Sequence, residues 1–105
     1  MQRANDGGPV RLKDKAEYHY RFGRINEDLG KEDTALTHYQ NAITYGKNLK
    51  QYYAARAAVL IGKIYEKKKN YAKAKAAYTT AINLKDHDYK AGIENEAKQA
   101  LKRIP

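Results

Sequence analysis

The amino-acid sequence predicts an all-α fold of antiparallel helix hairpins, and three observations point to it. Ala and Lys, which favour helix, are the most frequent residues of the chain, whereas its 105 residues include only seven Gly and two Pro. Apolar residues recur at helical spacing in stripes that short polar turns separate. The stripes also repeat at a fixed offset, which is typical of stacked repeats. We predict one domain over residues 13–105, preceded by a disordered leader over residues 1–12.

Two segments of the chain align with each other at an offset of 39 residues. Four pairs of identical residues keep this offset: Gly23 and Gly62, Ala35 and Ala74, Tyr39 and Tyr78, Ala42 and Ala81. A Gly inside a helix costs about 1 kcal/mol relative to Ala, so its recurrence in register indicates a packing reason. We predict that both Gly residues lie where the facing helix comes closest. Bulky side chains should fill the spaces between the helices: Phe22, Tyr39, Ile61, Tyr65 and Tyr78.

Each repeat should form two helices joined by a short turn. Repeat one spans about residues 14–47, and its turn contains Gly30 as a helix stop and Asp33 as a candidate cap of the second helix. Repeat two spans about residues 51–85, and Asn70 in its turn tolerates a left-handed helix end. Its two apolar stripes are Ala58, Ile61, Gly62 and Tyr65, then Ala74, Ala77, Tyr78 and Ala81.

A third helical segment follows over about residues 89–104, with Asp88 as its expected cap. Its apolar residues share one face, namely Ile93, Ala97, Ala100, Leu101 and Ile104. The segment should cover the exposed side of repeat two as a terminal cap. The N-terminal side has no comparable cap, and two repeats are fewer than the roughly three usually needed for stability. The chain is therefore expected either to continue a longer array or to self-associate through this N-terminal face.

This pattern resembles the tetratricopeptide repeat family over roughly residues 14–104. The residues that carry the resemblance best are Ile61, Gly62, Tyr65, Tyr71, Ala74, Tyr78, Ala81 and Leu84. The chain departs from the family in its 39-residue spacing, in Asn26 where an aromatic is expected, and in Asp86 where the family has Pro. The resemblance implies a right-handed α-solenoid that binds other polypeptides and catalyses nothing. The way the chain ends is similar to the C-terminal ends of larger bacterial repeat proteins.

The resemblance also implies a concave groove, lined by the first helices of successive repeats, that holds a peptide or a partner helix. Carried over by position, its residues are Glu17, Tyr20, Arg24, Glu27, Asp28, Arg56, Val59, Lys63, Glu66, Lys67, Lys98 and Lys102. Arg24, Lys63 and Lys102 are spaced by 39 residues, which predicts a basic ladder that can pair with carboxylates of an acidic peptide. The family's chaperone-binding clamp needs Lys and Asn, which do not stand at the matching positions Tyr20, Arg24 and Leu60.

The formal charge lies entirely in the second half of the chain. Residues 1–46 carry seven basic and seven acidic side chains, whereas residues 47–105 carry fourteen basic and five acidic ones. Such an excess suggests an anionic partner, although a solvated Lys-rich surface gives the same pattern. Nucleic-acid binding is therefore the alternative function. The residues that suggest it are Arg56, Lys63, Lys67, Lys68, Lys69, Lys73 and Lys75, with Tyr52, Tyr53 and Tyr71 as stacking candidates.

Several other classes of protein are disfavoured by the sequence. The absence of Cys excludes disulfides and thiolate chemistry, and no apolar run approaches the roughly 18–20 residues that cross a bilayer. His19 occupies an apolar repeat position, and His38 is expected at the surface of a different element. The segment Asp86–Asp88 is interpreted as a loop with a helix cap rather than as a metal site. No catalytic motif stands out, so we predict no enzyme, no cofactor, no metal and no membrane partner.

Overall fold

A computed structural model describes residues 9–84 and 87–105, which form five helices. The helices are α1 (Pro9–Asp28), α2 (Glu32–Gly46), α3 (Tyr53–Lys67), α4 (Tyr71–Asn83) and α5 (Lys90–Arg103). Helices α1 and α2 form one hairpin, and α3 and α4 form the second. Helix α2 packs against α3, and α5 packs against both α3 and α4. The predicted all-α fold of two stacked hairpins and a capping helix is confirmed.

The first helix begins earlier than the sequence predicted. Helix α1 starts at Pro9, so residues 9–12 are helical although they were assigned to the disordered leader. Proline suits a first helical position because its missing N–H would have no partner there. The rest of the predicted leader, residues 1–8, lies outside the described residues. The turn after α1 follows the prediction, since Gly30 takes a positive φ of 79°.

Two of the predicted helix caps are wrong. Lys31 is the N-cap of α2, with no side-chain hydrogen bond, and Asp33 lies inside the first turn, where its charge still suits the helix dipole. Tyr89, at φ 61°, is the N-cap of α5 in place of Asp88. The backbone N–H of Asp88 instead donates to the Lys50 carbonyl at 2.7 Å, a contact that ties the start of the capping helix to the loop between the hairpins.

The turn of the second hairpin uses its polar residues differently from the prediction. Lys69 is the left-handed residue, with φ 62°, so Asn70 is not. Because the left-handed position falls one residue earlier, Asn70 becomes the N-cap of α4. Its side-chain oxygen accepts from the backbone N–H of Lys73 at 3.3 Å.

Each hairpin is closed by one Tyr ring lying against one Gly. A Cβ atom added to Gly23 would lie 2.5 Å from the ring of Tyr39, and one added to Gly62 would lie 2.6 Å from the ring of Tyr78. The predicted close approach at both Gly residues is therefore confirmed. Phe22 departs from its prediction, because it is partly exposed on the free side of α1 instead of filling the hairpin.

Two apolar clusters hold the layers together. The first joins the hairpins through Tyr39 of α2 and Ile61 and Ile64 of α3. The second joins α3 and α4 to the capping helix, with Tyr78 and Ile93 fully buried in it. Because α5 contributes its whole apolar stripe to the second cluster, it covers repeat two as the sequence predicted.

The contact between Gly62 and Tyr78 predicts a stability difference between two substitutions. Gly62→Ala should destabilise the fold by about 1–3 kcal/mol, because the methyl group has no room against the ring. Gly92→Ala is the matched control, since a Cβ there meets no atom within 4 Å and the change gains up to about 1 kcal/mol of helix propensity. Urea unfolding of both variants measures the difference. Equal stability of the two would contradict the packing interpretation.

Candidate functional site

The first helices of the successive hairpins lie side by side and carry the residues of the predicted groove. Helix α1 contacts α3, and α3 contacts α5. One carboxylate connects the last two of these helices. Arg56 Nη1 lies 2.8 Å from Glu96 Oε1, and Lys63 Nζ lies 2.6 Å from Glu96 Oε2. Two of the predicted cations on α3 thus share an acidic side chain of the capping helix.

Glu96 is an ionised carboxylate held between two cations. Its partial burial opposes the charged form, but the hydrogen bonds from Lys63 and Arg56 outweigh that effect and hold the pKa of Glu96 below its ordinary value. The sequence reasoning missed Glu96, because the cap was considered only for its apolar stripe and its lysines. The arrangement has a chemical consequence: the space between Arg56 and Lys63 accommodates a carboxylate.

The other two members of the basic ladder have different surroundings. Arg24 Nη1 donates to the Tyr20 hydroxyl at 3.1 Å, and the guanidinium also lies over the Tyr20 ring at 5.9 Å. The hydrogen bond that Arg24 donates to the Tyr20 hydroxyl is the main cause that raises the pKa of Arg24. Because a hydroxyl is neutral, this contact does not neutralise the positive charge, which the nearby Asp28 offsets only in part. Lys102 is exposed near the end of α5.

Two residues predicted for the groove are core residues instead. Val59 is fully buried in the cluster that joins α3 to α5, because the capping helix covers that side of α3. Tyr20 is also buried, where its ring contacts Tyr53 of the next hairpin at 5.5 Å between centroids. Neither side chain offers an open surface, and only the Tyr20 hydroxyl reaches the ladder, through Arg24.

The repeated carboxylates Glu27 and Glu66 fasten the two hairpins. The Tyr39 hydroxyl donates to Glu27 Oε1 at 2.6 Å, and the Tyr78 hydroxyl donates to Glu66 Oε1 at 2.8 Å. Burial and these hydrogen bonds to a carboxylate raise the pKa of both tyrosines far above the ordinary value. Arg103 of the cap also reaches both oxygens of Glu66, at 2.8 and 2.9 Å. The common 39-residue spacing of the Glu and Tyr pairs is the signal that could have revealed this role.

The remaining predicted groove residues lie at the margins of the three helices. Asp28 is exposed at the end of α1. The others form ion pairs within the chain: Glu17 with Arg21 at 2.8 Å, Lys67 with Glu32 at 2.8 Å, and Lys98 with Glu94 at 3.3 Å. Exposed pairs of this kind are worth about 0–1 kcal/mol, so a ligand can exchange them at little cost.

His19 and His38 lie together, although the sequence placed them on separate elements. Their Nδ1 atoms are 2.9 Å apart, because the first hairpin folds α2 back along α1. Two imidazole nitrogens at this distance can share only one proton. The pKa of His19 is lowered, and burial is the largest cause. The neighbouring His38 and the charge of Lys15 lower it further. His19 is therefore expected to be neutral at neutral pH.

The described residues offer no group of three or more His, Asp or Glu side chains placed to hold a metal ion. Of the predicted loop segment, Asp86 lies outside the described residues, and His87 Nδ1 lies 2.9 Å from the Asp88 carbonyl oxygen. Within the same described ranges, no helix has the length and apolar character needed to cross a membrane.

Comparison with known proteins identifies the kind of repeat that forms the two hairpins. The sequence model of the tetratricopeptide repeat matches the chain twice, over residues 16–46 and 55–88. The two matches correspond to the two hairpins, and together they cover more than half of the chain. No curated protein and no solved structure matches it significantly.

The lowered pKa of His19 predicts that the protein loses stability in mild acid. Because the pKa of His19 is lowered in the fold, this contribution is fully present above about pH 6.5 and declines as the pH falls below that value. The effect should be under about 1 kcal/mol, since the rings are largely hydrated. Urea unfolding at pH 7.5 and 5.5 measures it. The variant His38→Gln should show a smaller pH dependence, and an unchanged one would contradict the role of the pair.

Proposed function

The chain belongs to the tetratricopeptide repeat family, and from this membership we propose that α1, α3 and α5 bind an acidic peptide or partner helix. Repeats of this family generally mediate interactions between proteins, and the family is one of non-catalytic scaffolds. A binding role fits an elongated stack of hairpins, which presents the same position of each repeat along one surface. The proposal concerns which surface is used and which chemistry the partner offers.

The contact of Glu96 with Arg56 and Lys63 is the observation that carries the proposal. The chain's own carboxylate occupies a position where two cations on α3 converge. A carboxylate of a partner can take that position, or share it, because the side chains of Arg56 and Glu96 remain partly open to solvent. Glu96 then acts as an internal competitor, which keeps the two cations in place when no ligand is bound.

The proposed surface is smaller than the sequence suggested. It comprises Arg24 on α1, Arg56 and Lys63 on α3, and Lys102 on α5, with Lys67 and Lys98 at its margins. Three of these cations keep the 39-residue spacing, so a ligand that lies across the helices meets one cation per layer. Arg24 and Lys102 supply the charge that Glu96 does not neutralise. Val59, Tyr20 and Glu27 support the surface from within.

The contacts favour a polypeptide over a nucleic acid. Lys67 and Lys68 both pair with Glu32, at 2.8 and 3.1 Å. Lys73 lies over the Tyr65 ring at 5.3 Å, on the second hairpin and away from the groove cations. The basic side chains of the second half are thus spread over different elements and partly paired, whereas a nucleic-acid backbone needs a continuous basic track.

Charge reversal of the ladder should abolish binding of an acidic probe. The probe is a fluorescein-labelled peptide rich in Glu, and its binding is followed by fluorescence polarisation. The triple variant Arg24→Glu, Lys63→Glu and Lys102→Glu should bind at least tenfold more weakly, which corresponds to about 1.4 kcal/mol. The matched control, Lys31→Glu, Lys47→Glu and Lys75→Glu, makes the same charge change at exposed positions outside the groove and should bind much more tightly than the ladder variant.

Three outcomes of this experiment have different meanings. Equal weakening by both triple variants would contradict a defined site, because the attraction would then depend on net charge alone. Unchanged binding by the ladder variant would also overturn the proposal. A labelled single-stranded oligonucleotide that binds more tightly than the peptide, with steep dependence on salt, would favour the nucleic-acid alternative.

Removal of the internal competitor gives an independent prediction. Glu96→Gln should strengthen binding of the acidic peptide by about three- to tenfold, because Arg56 and Lys63 lose their competing negative charge. Glu94→Gln is the matched control, since it removes the same charge from the same helix but frees only Lys90 and Lys98. A larger gain for Glu94→Gln than for Glu96→Gln would contradict the assigned position of the ligand carboxylate.

A further inference from the structure

The free side of the first hairpin carries a stripe of exposed apolar residues. Tyr18 is 51% exposed, Phe22 40%, Ile25 49% and Leu29 64%. Their spacing of four, three and four residues places the first three on one face of α1, and Leu29 continues that face one residue past the end of the helix. Single exposed apolar residues are common on protein surfaces, but four in one stripe form a contiguous patch that calls for a partner. This face is distinct from the proposed groove.

The internal register of the chain indicates what kind of surface this is. The residues 39 positions after Tyr18, Phe22 and Ile25 are Ala57, Ile61 and Ile64. These three are buried in the cluster where α3 packs against the preceding hairpin. The same positions are therefore covered by helices in repeat two and left open in repeat one. The stripe on α1 has the form of a helix-packing surface.

Neighbouring aromatic rings extend the stripe from α1 onto α2. The Tyr18 and Phe22 centroids are 4.6 Å apart, and the Phe22 ring lies 5.9 Å from that of His38. Tyr45 stacks on His19 at 5.6 Å with an interplanar angle of 14°. Because the two imidazoles satisfy each other through their Nδ1 atoms, burial of this cluster leaves few polar groups without partners.

We propose that this face, formed by α1 and α2, binds the same face of a second copy of the chain in a twofold dimer. A twofold contact requires a self-complementary patch, and an apolar stripe can pack against its own copy without leaving charges unpaired. A fully exposed large side chain has about 200 Å² of solvent-accessible surface. The exposed fractions of the four side chains then amount to roughly 400 Å² per copy. Two copies then bury about 800 Å² of apolar surface before the rim is counted, close to the roughly 1,000 Å² of a specific interface.

The distribution of charge selects this arrangement over others. The first hairpin lies within residues 1–46, which carry equal numbers of basic and acidic side chains, whereas residues 47–105 carry the whole net charge of +9. A dimer through the first hairpins keeps the two basic halves at opposite ends. Charges act over roughly 8 Å at physiological salt, so placing the two first hairpins between the basic halves limits their repulsion. A head-to-tail contact would instead place the apolar stripe against the polar outer side of α5.

Sedimentation equilibrium of the full chain at neutral pH tests the dimer. The wild-type protein should change from monomer to dimer as its concentration rises through the micromolar range. High salt should not dissociate the dimer. Phe22→Lys and Leu29→Lys should each weaken the dimer at least tenfold, because each places a charge in the stripe. Leu29 has the largest exposure in the stripe, so its variant should fold normally, as circular dichroism would verify.

Tyr89→Asn is the matched control for the loss of an exposed aromatic. Tyr89 is 74% exposed, lies at the start of α5, and has a positive φ that Asn tolerates. This variant should dimerise as the wild type does. A wild-type protein that stays monomeric at high micromolar concentration would overturn the proposal. The face would then have to bind a partner other than a second copy of the chain. Dimers that persist in both Lys variants, or that the Tyr89 variant disrupts equally, would also overturn it.

Discussion

The contact between a Tyr ring and a Gly backbone sets the geometry on which the rest of the molecule depends. The ring of Tyr39 lies against Gly23, and that of Tyr78 lies against Gly62, each too close for a Cβ atom. The distance between the helices of a hairpin is therefore fixed by the thickness of one aromatic ring. Each Tyr hydroxyl then reaches a carboxylate on the facing helix, so the same side chain fixes both the spacing and the register of its hairpin.

This constraint extends from the hairpins to the proposed binding surface. Glu66 accepts from the Tyr hydroxyl and from Arg103, so the second hairpin and the capping helix are held through one carboxylate. The position of α5 then brings Glu96 within reach of Arg56 and Lys63. The proposed site is a consequence of packing, because its cations lie on α1, α3 and α5, which the two hairpins and the capping helix hold side by side.

The sequence predicted what depends on repetition and missed what depends on contacts between different helices. The Gly and Tyr positions recur at a fixed offset, so their packing could be inferred from spacing alone. The Glu96 contact and the His19–His38 pair could not be inferred in this way, because neither recurs and each requires the relative position of two helices. Val59 was assigned to the groove for a related reason: a repeat position alone does not say that a neighbouring helix covers it.

The two hairpins differ because the same repeat positions are covered by a neighbouring hairpin in one and exposed in the other. In α3, Ile61 and Ile64 are covered by the preceding hairpin, whereas in α1 the corresponding Phe22 and Ile25 are exposed. At the other end, α5 buries its apolar stripe, and its exposed residues are mostly polar. An apolar face on the neutral half and a cationic face on the basic half can thus be occupied independently. A dimer that forms through the apolar face would present two copies of the cationic face, one at each far end.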